Sequence, residues 1–124
     1  MKYMVMVYLN ESAEAARPKE DFAKVAAAWK QYTTALQEAG LDFTPGTPVQ
    51  PSSTATTIRV RDGQVSVQDG PIAETKEQFA SSFTIDCPDL DAALSWAKIC
   101  PGAEYGAVEV RPVLCWQQQG LDRE

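Results

Sequence analysis

The residues best suited to chemistry lie in one stretch, Asp69-Gly70-Pro71-Ile72-Ala73-Glu74-Thr75-Lys76-Glu77-Gln78. It places three carboxylates and one ammonium group close together between two segments that have the pattern of β-strands. The chain contains no histidine. A general base acting near neutral pH would therefore be a carboxylate whose pKa is raised by burial or by a like-charged neighbour. Asp69 is our candidate catalytic residue, and Glu74 and Glu77 are the other acidic candidates.

Other charged and aromatic side chains could bind a ligand beside this stretch. Lys76, Arg61 and Arg111 are candidates for binding an anion or balancing charge, and Tyr8 is a further binding candidate. Each also has a structural interpretation. Tyr8 and Tyr105 can equally lie in the core or an interface, and Arg111 can form a salt bridge at the rim of a sheet.

The stretch itself has a structural alternative, which the sequence leaves open. Asp69-Gly70-Pro71 is also what a tight turn requires, because Asp can accept backbone hydrogen bonds, Gly takes a positive φ and Pro fixes the next φ. Thr75 and Gln78 have the spacing of a capping box, so their side chains could satisfy backbone donors. The same residues therefore predict either a site or a well-made turn.

Composition excludes several classes of function. The 124 residues carry a net charge of −6 without a cluster of Lys or Arg, so a nucleic-acid surface is not expected. No apolar run is long enough to span a bilayer, and the start lacks a signal-peptide pattern, which predicts a cytoplasmic protein and no membrane partner. Cys87, Cys100 and Cys115 form no Cys-x-x-Cys pair, so we predict ordinary thiols, no metal and no cofactor.

Hydrophobic periodicity predicts the order β-α-β-β-β-α-β. The apolar run over 2–9 indicates a strand, and 10–17 reads as a polar connection. One apolar stripe marks a helix between Pro18 and Gly40. It comprises Phe22, Val25, Ala26, Trp29, Tyr32, Thr33 and Leu36.

The second half of the chain is predicted from turns and caps. Residues 56–61 and 64–68 form a hairpin around Asp62-Gly63, with Ile58, Val60, Val65 and Val67 on one face. Further elements are a strand over 79–87, a helix capped by Asp89 that stops before Pro101, and a strand over 107–113.

This order predicts an α+β fold, a ferredoxin-like subunit with an extra hairpin strand, an antiparallel sheet and helices on one face. The opposite face of the sheet would need cover, and a second copy of the chain would provide it, which predicts a two-fold homodimer. We expect a single domain over 1–113 and a C-terminal tail over 114–124.

Several separated motifs, in the right order, resemble the DGPF branch of the YCII-related family. They are the 69–78 stretch, Pro88-Asp89-Leu90-Asp91-Ala92-Ala93-Leu94 and Tyr105-Gly106-Ala107-Val108-Glu109-Val110-Arg111-Pro112. The opening Met1-Lys2-Tyr3-Met4 and the hairpin from Ala55 to Gly63 are also similar to this branch, so the resemblance covers 1–113. One departure is Ile72, which stands where the branch has Phe.

The resemblance implies a dimeric α+β barrel with a cleft between the sheet and the partner. In the wider family a His with an Asp is the suspected catalytic pair in lyase-like chemistry, and this chain has no His. The resemblance therefore leaves open a small-molecule-binding module, with carboxylate-based lyase or isomerase activity through Asp69. The alternatives are a regulatory module acting with a sigma-factor-type transcription regulator, or a structural dimer without a ligand.

Overall fold

The computed structural model describes residues 1–115, which form six strands and four helices. The strands are β1 (Lys2–Asn10), β2 (Phe43–Pro45), β3 (Thr56–Arg61), β4 (Gln64–Asp69), β5 (Glu77–Asp86) and β6 (Ala107–Pro112). The helices are α1 (Glu11–Ala15), α2 (Lys19–Glu38), α3 (Leu90–Lys98) and α4 (Pro101–Tyr105), and Ser52–Thr54 forms a 3-10 turn. Most of the predicted tail, from residue 116 onward, lies outside the described residues.

The main sheet has the strand order β2-β5-β1-β6, and each neighbouring pair is antiparallel. Strands β1 and β2 are therefore parallel to each other, with β5 between them and α2 as their crossover. This is the split β-α-β arrangement of a ferredoxin-like fold, so the predicted α+β class is confirmed. None of the helices in residues 1–115 has the length and hydropathy needed to cross a bilayer.

The core lies between the helices and one face of this sheet. Alternate β1 residues Tyr3, Val5 and Val7 are buried there, and Phe83 and Ile85 continue the layer on β5. The helices complete it with Tyr32 and Leu36 from α2 and Ala93 and Ala97 from α3. The intervening β1 residues, among them Met4 and Met6, lie on the opposite face and are only partly buried. We call this second face the open face.

Helix α2 confirms most of the apolar stripe but not its beginning. Pro18 precedes the first helical residue, and Gly40, just after the helix, has φ +76°, as a helix end favours. Tyr32 and Leu36 are buried, whereas Phe22 is 52% exposed. Phe22, at the beginning of the stripe, therefore lies outside the core, because the first turns of this 20-residue helix contribute no buried residue.

The hairpin prediction is confirmed in its turn and differs in its placement. Asp62 and Gly63 have φ of 52° and 76°, the two positive values of a type I′ turn. Strands β3 and β4 pair only with each other, as a separate two-stranded sheet rather than as an extra strand of the main sheet.

Two short helices were not predicted. The first, α1, lies within residues 10–17, which were predicted to be a connection. Asn10 caps this helix, because its side chain accepts a hydrogen bond from the Ala13 amide at 3.0 Å. Helix α4 follows Cys100 and approaches β1 closely. A Cβ atom at Gly102 would lie 2.8 Å from Val7 Cγ1, so this contact needs glycine.

Strand β5 contains one irregularity that matters for the site. Val7 pairs with Ser81, but the next β1 residue, Tyr8, pairs with Phe79, so Ala80 is an extra residue. Such a bulge reverses the alternation of side chains before it. Phe79 consequently lies on the open face beside Tyr8, and their rings meet edge to face with centroids 5.9 Å apart.

Candidate functional site

The Asp69–Gln78 stretch begins as a turn that the backbone holds. The Gly70 amide donates to the Ala55 carbonyl at 2.8 Å, and the Thr57 hydroxyl donates to the Gly70 carbonyl at 2.8 Å. Gly70 has φ +103°, which glycine adopts without strain. Asp69 is exposed, and within residues 1–115 its carboxylate accepts no hydrogen bond, so the turn does not depend on that side chain.

The second half of the stretch is a loop tied down by its own side chains. The Thr75 hydroxyl donates to the Glu77 carbonyl at 2.6 Å. Gln78 Nε2 donates to the carbonyls of Ala73 and Thr75 at 2.9 and 3.1 Å. These bonds satisfy backbone acceptors rather than donors, and the following element is a strand. The capping-box interpretation is therefore wrong, but the bonds do order the loop that carries Lys76.

A groove opens on the sheet beside this loop, and we call it the Tyr8 groove. It has a volume of about 480 Å³. Its lining residues come from the ends of three adjacent strands and the loop, namely Tyr8, Thr75, Lys76, Glu77, Ala107, Val108 and Glu109. Tyr8 pairs with Ala107 on β6. The bulge at Ala80 reverses the facing of Glu77, which lies opposite Asn10 on the open face.

The groove therefore joins a phenol hydroxyl, an ammonium group and two carboxylates. Glu109 is hydrogen-bonded to Arg111 Nε, and this bond raises the pKa of the Arg111 guanidinium. Arg111 remains 70% exposed, and Glu109 is 41% exposed, so the pair lies at the rim. The prediction that Arg111 forms a rim salt bridge is confirmed.

The seven predicted site residues are only partly brought together. Tyr8, Lys76 and Glu77 line the groove, and Arg111 reaches it through Glu109. Asp69, Glu74 and Arg61 are not among its lining residues. A Cβ atom at Gly70 would lie 3.8 Å from Glu74 Oε1, so Glu74 belongs to the Asp69 turn.

Arg61 is far from Asp69 along the hairpin. It pairs with Gln64 next to the turn, whereas Asp69 pairs with Thr56 at the opposite end of the same two strands. Five residues of strand separate the two levels, which corresponds to about 17 Å. Arg61 Nη1 donates to the Val60 carbonyl at 3.0 Å. A single small ligand therefore cannot contact both side chains within one chain.

A second concavity, which the sequence did not reveal, lies beside α1. Its volume is about 410 Å³, and its walls include Leu9, Glu11, Glu14, Val49 and Phe79. Glu11 is engaged already, because its carboxylate accepts hydrogen bonds from the Ser52 amide, at 2.6 Å, and from the Ser52 hydroxyl. The only signal in the sequence was the Glu-x-x-Glu spacing in a segment that read as a connection.

Arg17 supports the same region from outside. Its guanidinium is hydrogen-bonded to Glu14, which raises the pKa of Arg17, and lies 4.6 Å from the centroid of the Tyr105 ring. Arg17 Nε is buried and has no hydrogen-bond partner in residues 1–115. Glu14 is therefore neutralised by Arg17, and Glu11 is occupied by Ser52, so neither carboxylate of this pocket is free.

The cysteines provide neither a reactive thiolate in the core nor a metal site among the described residues. Cys87 and Cys100 are buried, and burial raises the pKa of both thiols, so neither has the character of a reactive thiolate. Cys115 is exposed. Within residues 1–115, no three His, Cys, Asp or Glu side chains group closely enough to hold a metal ion.

Comparison with known proteins supplies the family. The family model described as the YCII-related domain matches residues 1–117. An uncharacterized protein of Rhizobium meliloti (strain 1021) is 36% identical over 119 residues, which is 94% of this chain and 95% of that protein. The match to the family model extends over the strands and loop that form the Tyr8 groove. The chain belongs to the YCII-related family.

Proposed function

We propose that this chain is a small-molecule-binding module of the dimeric α+β-barrel type, and that its ligand binds in the Tyr8 groove. The supporting observation is the convergence of Tyr8, Lys76, Glu77 and Glu109 around about 480 Å³. That volume lies within the range of about 300–1,000 Å³ that is typical of ligand sites, which combine apolar surface with a few placed polar groups.

The charges in the groove suggest the kind of ligand. Lys76 offers an ammonium group to an anionic or carbonyl oxygen, and the carboxylates of Glu77 and Glu109 offer acceptors for hydroxyl or amino groups. Ala107 and Val108 add apolar surface to the same groove. A small polar organic molecule that carries both an anionic group and a hydroxyl or amino group, such as a hydroxy or amino acid, matches these groups in kind.

Carboxylate-based lyase or isomerase chemistry is the finer form of the proposal. The carboxylate of Glu77 would remove a proton from a carbon next to a carbonyl, and Lys76 or the Tyr8 hydroxyl would stabilise the resulting oxyanion. Asp69 does not line the groove in a single chain, and its catalytic role stays a prediction.

The test is a thermal-shift screen of the purified protein against small organic acids, phenols and amino acids. A ligand at about 100 times its dissociation constant adds about 2.7 kcal/mol to stability. The shift should disappear in Lys76→Met and Glu109→Gln. The matched control, Lys19→Met, removes an exposed lysine at the start of α2 and should retain the shift. A ligand whose binding survives both groove variants would refute the assignment to this groove.

A regulatory interaction module, acting with a sigma-factor-type regulator, is the second candidate. The observation in its favour is the hairpin β3–β4, whose Ile58, Val60, Val65 and Val67 are 56–67% exposed on one face. Contiguous apolar patches of this kind often mark protein contacts. A pull-down with a purified regulator of that class should then succeed with the wild type and fail with Val65→Lys. Equal capture of both proteins would argue against this function.

A further inference from the structure

Strand β6 lies at the edge of the main sheet, and the backbone shows which of its groups face outward. It ends the strand order β2-β5-β1-β6 and pairs only with β1. Just beyond β6, the Val113 amide donates to the Lys2 carbonyl at 2.9 Å and continues the same register. Hydrogen-bonded pairs alternate along an antiparallel ladder. Arg111, Glu109 and Ala107 therefore direct their N–H and C=O groups toward β1.

The alternate residues Val108, Val110 and Pro112 direct their backbone groups away from the sheet. Within residues 1–115, Val108 and Val110 make no backbone hydrogen bond on that outer side. Pro112 has no N–H, so its only outward group is the carbonyl, as is common for proline in edge strands. The outer edge therefore offers two N–H donors, from Val108 and Val110, together with the carbonyls of all three residues. An extended polypeptide is the partner that completes such a pattern.

An apolar trough, which we call the β6 trough, follows this edge on the side of the sheet that the helices cover. It has a volume of about 380 Å³ and is lined by Leu94, Ala97, Lys98, Ala103, Ala107, Val108 and Val110. Leu90 and Leu94, which are one turn apart on α3, are 46% and 36% exposed. The apolar surface of α3 therefore extends beyond the last strand. A strand added to β6 would place every second side chain against it.

One charged residue, Lys98, lies among the residues that line the trough. Strands β5 and β6 are parallel to each other, because each is antiparallel to β1. Helix α3 connects them and therefore runs in the opposite direction, so its last residue, Lys98, lies toward the start of β6. Lys98 is exposed and forms no salt bridge within residues 1–115. A strand antiparallel to β6 would bring its C-terminal end to this ammonium group.

We propose that the edge of β6 binds an extended peptide segment of a partner protein by strand addition. The segment runs antiparallel to β6, carries apolar residues at alternate positions and has a carboxylate near its C-terminal end. Main-chain hydrogen bonds to Val108 and Val110 provide the pairing, the β6 trough receives the apolar side chains, and Lys98 binds the carboxylate. This surface goes beyond the proposed ligand site and requires neither Lys76 nor Glu77.

The first experiment tests the backbone pairing. The probe is a fluorescein-labelled pentapeptide, Val-Thr-Val-Thr-Asp, whose Val and Asp side chains share one face of a strand. Its binding to the full chain is measured by fluorescence anisotropy. Val110→Pro removes an outward donor and should raise the dissociation constant about fivefold, as expected for one hydrogen bond. Pro112→Ala adds a donor on the same side and should lower the dissociation constant by a similar factor.

The second experiment tests the carboxylate contact without altering the backbone. Lys98→Glu should weaken binding of the probe about fivefold and strengthen binding of Val-Thr-Val-Thr-Lys, because the two charges are exchanged. The matched control is Lys30→Glu, which reverses an exposed charge on α2 and should leave both affinities unchanged. The scrambled peptide Val-Val-Thr-Thr-Asp, which lacks the alternation, should bind more weakly than the probe to the wild type.

Four results would overturn the proposal. They are absence of binding by the wild type at about 1 mM probe, equal affinity of wild type and Val110→Pro, equal affinity for the two peptides that end in Asp and Lys, and probe binding that Lys76→Met abolishes. Circular dichroism confirms that each variant is folded. Sedimentation of Val110→Pro tests whether the edge instead joins two copies, since loss of self-association in this variant would also refute a peptide partner. Binding only by a chain that ends at Cys115 would assign the edge to residues 116–124 and refute it as well.

Discussion

Tyr32→Phe removes one hydrogen bond from the core and leaves the ring in place. Tyr32 is 5% exposed, and its hydroxyl donates to the Trp96 carbonyl at 2.8 Å. Trp96 lies in the last turn of α3, where carbonyls lack donors from their own helix. The Cys100 amide, four residues on, donates to Ala97 instead, at 3.2 Å. The variant therefore leaves the Trp96 carbonyl without its donor, and we expect a loss of about 1–2 kcal/mol at pH 7.

The same variant has a pH signature whose sign follows from the pKa of Tyr32. Burial, and then the thiols of Cys100 and Cys87, raise that pKa. An unfolded tyrosine titrates near pH ~10. Below that pH both states hold the proton, and the stability that the group contributes is fully present. Above that pH only the unfolded state releases the proton, so the unfolding free energy of the wild type falls by about 1.4 kcal/mol per pH unit. Tyr32→Phe lacks the hydroxyl and therefore does not show this decrease.

The assay is urea unfolding, followed by tryptophan fluorescence, of both proteins at pH 7, 9 and 11. The difference in unfolding free energy should be constant from pH 7 to 9 and narrow by about 1.4 kcal/mol at pH 11. The thiols of Cys87 and Cys100 are common to both proteins, so their titration largely cancels. A loss below about 0.5 kcal/mol at pH 7 would contradict the contribution of the Tyr32–Trp96 hydrogen bond. A difference between the two proteins that is the same at pH 11 as at pH 9 would contradict the raised pKa of Tyr32.

Three other substitutions test separate parts of the fold. Gly106→Ala should destabilise by several kcal/mol (more than about 3) in urea unfolding, because the new Cβ would lie 2.1 Å from the Tyr8 carbonyl oxygen. Asp89→Ala should cost about 1 kcal/mol in the same assay, because the Asp89 carboxylate accepts the Ala92 amide at 2.9 Å as the cap of α3. Phe22→Ser should change stability by less than about 0.5 kcal/mol, since Phe22 is 52% exposed; a larger loss would mean that α2 packs along its whole length.

The secondary structure was largely predictable because most of its signals are local. The Asp62-Gly63 turn, the Asp89 cap and the Tyr32–Leu36 part of the stripe each act through a few neighbouring residues. What failed depends on distant packing. Nothing near Phe22 in the sequence tells where the sheet ends beneath α2. The short helix α4 was missed for a similar reason, since Gly102 is explained only by its contact with Val7.

The site was less predictable than the fold, and the bulge in β5 is one physical reason. The alternation of Phe83 and Ile85 with polar residues, extended backward without a bulge, places Phe79 on the core face. The extra residue Ala80 brings Phe79 and Glu77 to the open face instead. Phe79 was expected on the face that needs cover, but the facing of Glu77 was not predicted. A bulge of this kind leaves no compositional mark that a periodicity argument can detect.

Glu109 illustrates a second reason. It was part of a recognised motif but was not a candidate, because its contribution depends on lying opposite Met6 and beside Arg111 in a sheet whose strand order the sequence suggests only loosely. Lys76 and Glu77 were found because they adjoin a turn. Asp69 was singled out on the same ground, and the structure places it outside the groove.

The hairpin β3–β4 joins the rest of the chain at two neighbouring points, so its length can vary independently of the main sheet. The Gly70 amide donates to the Ala55 carbonyl at 2.8 Å, so the two ends of the segment 56–69 already meet. A short linker could replace this segment without altering the path of β2 or β5. The length of the segment can therefore change while the four-stranded sheet stays intact, and a reporter peptide placed at Asp62-Gly63 would be displayed away from the core.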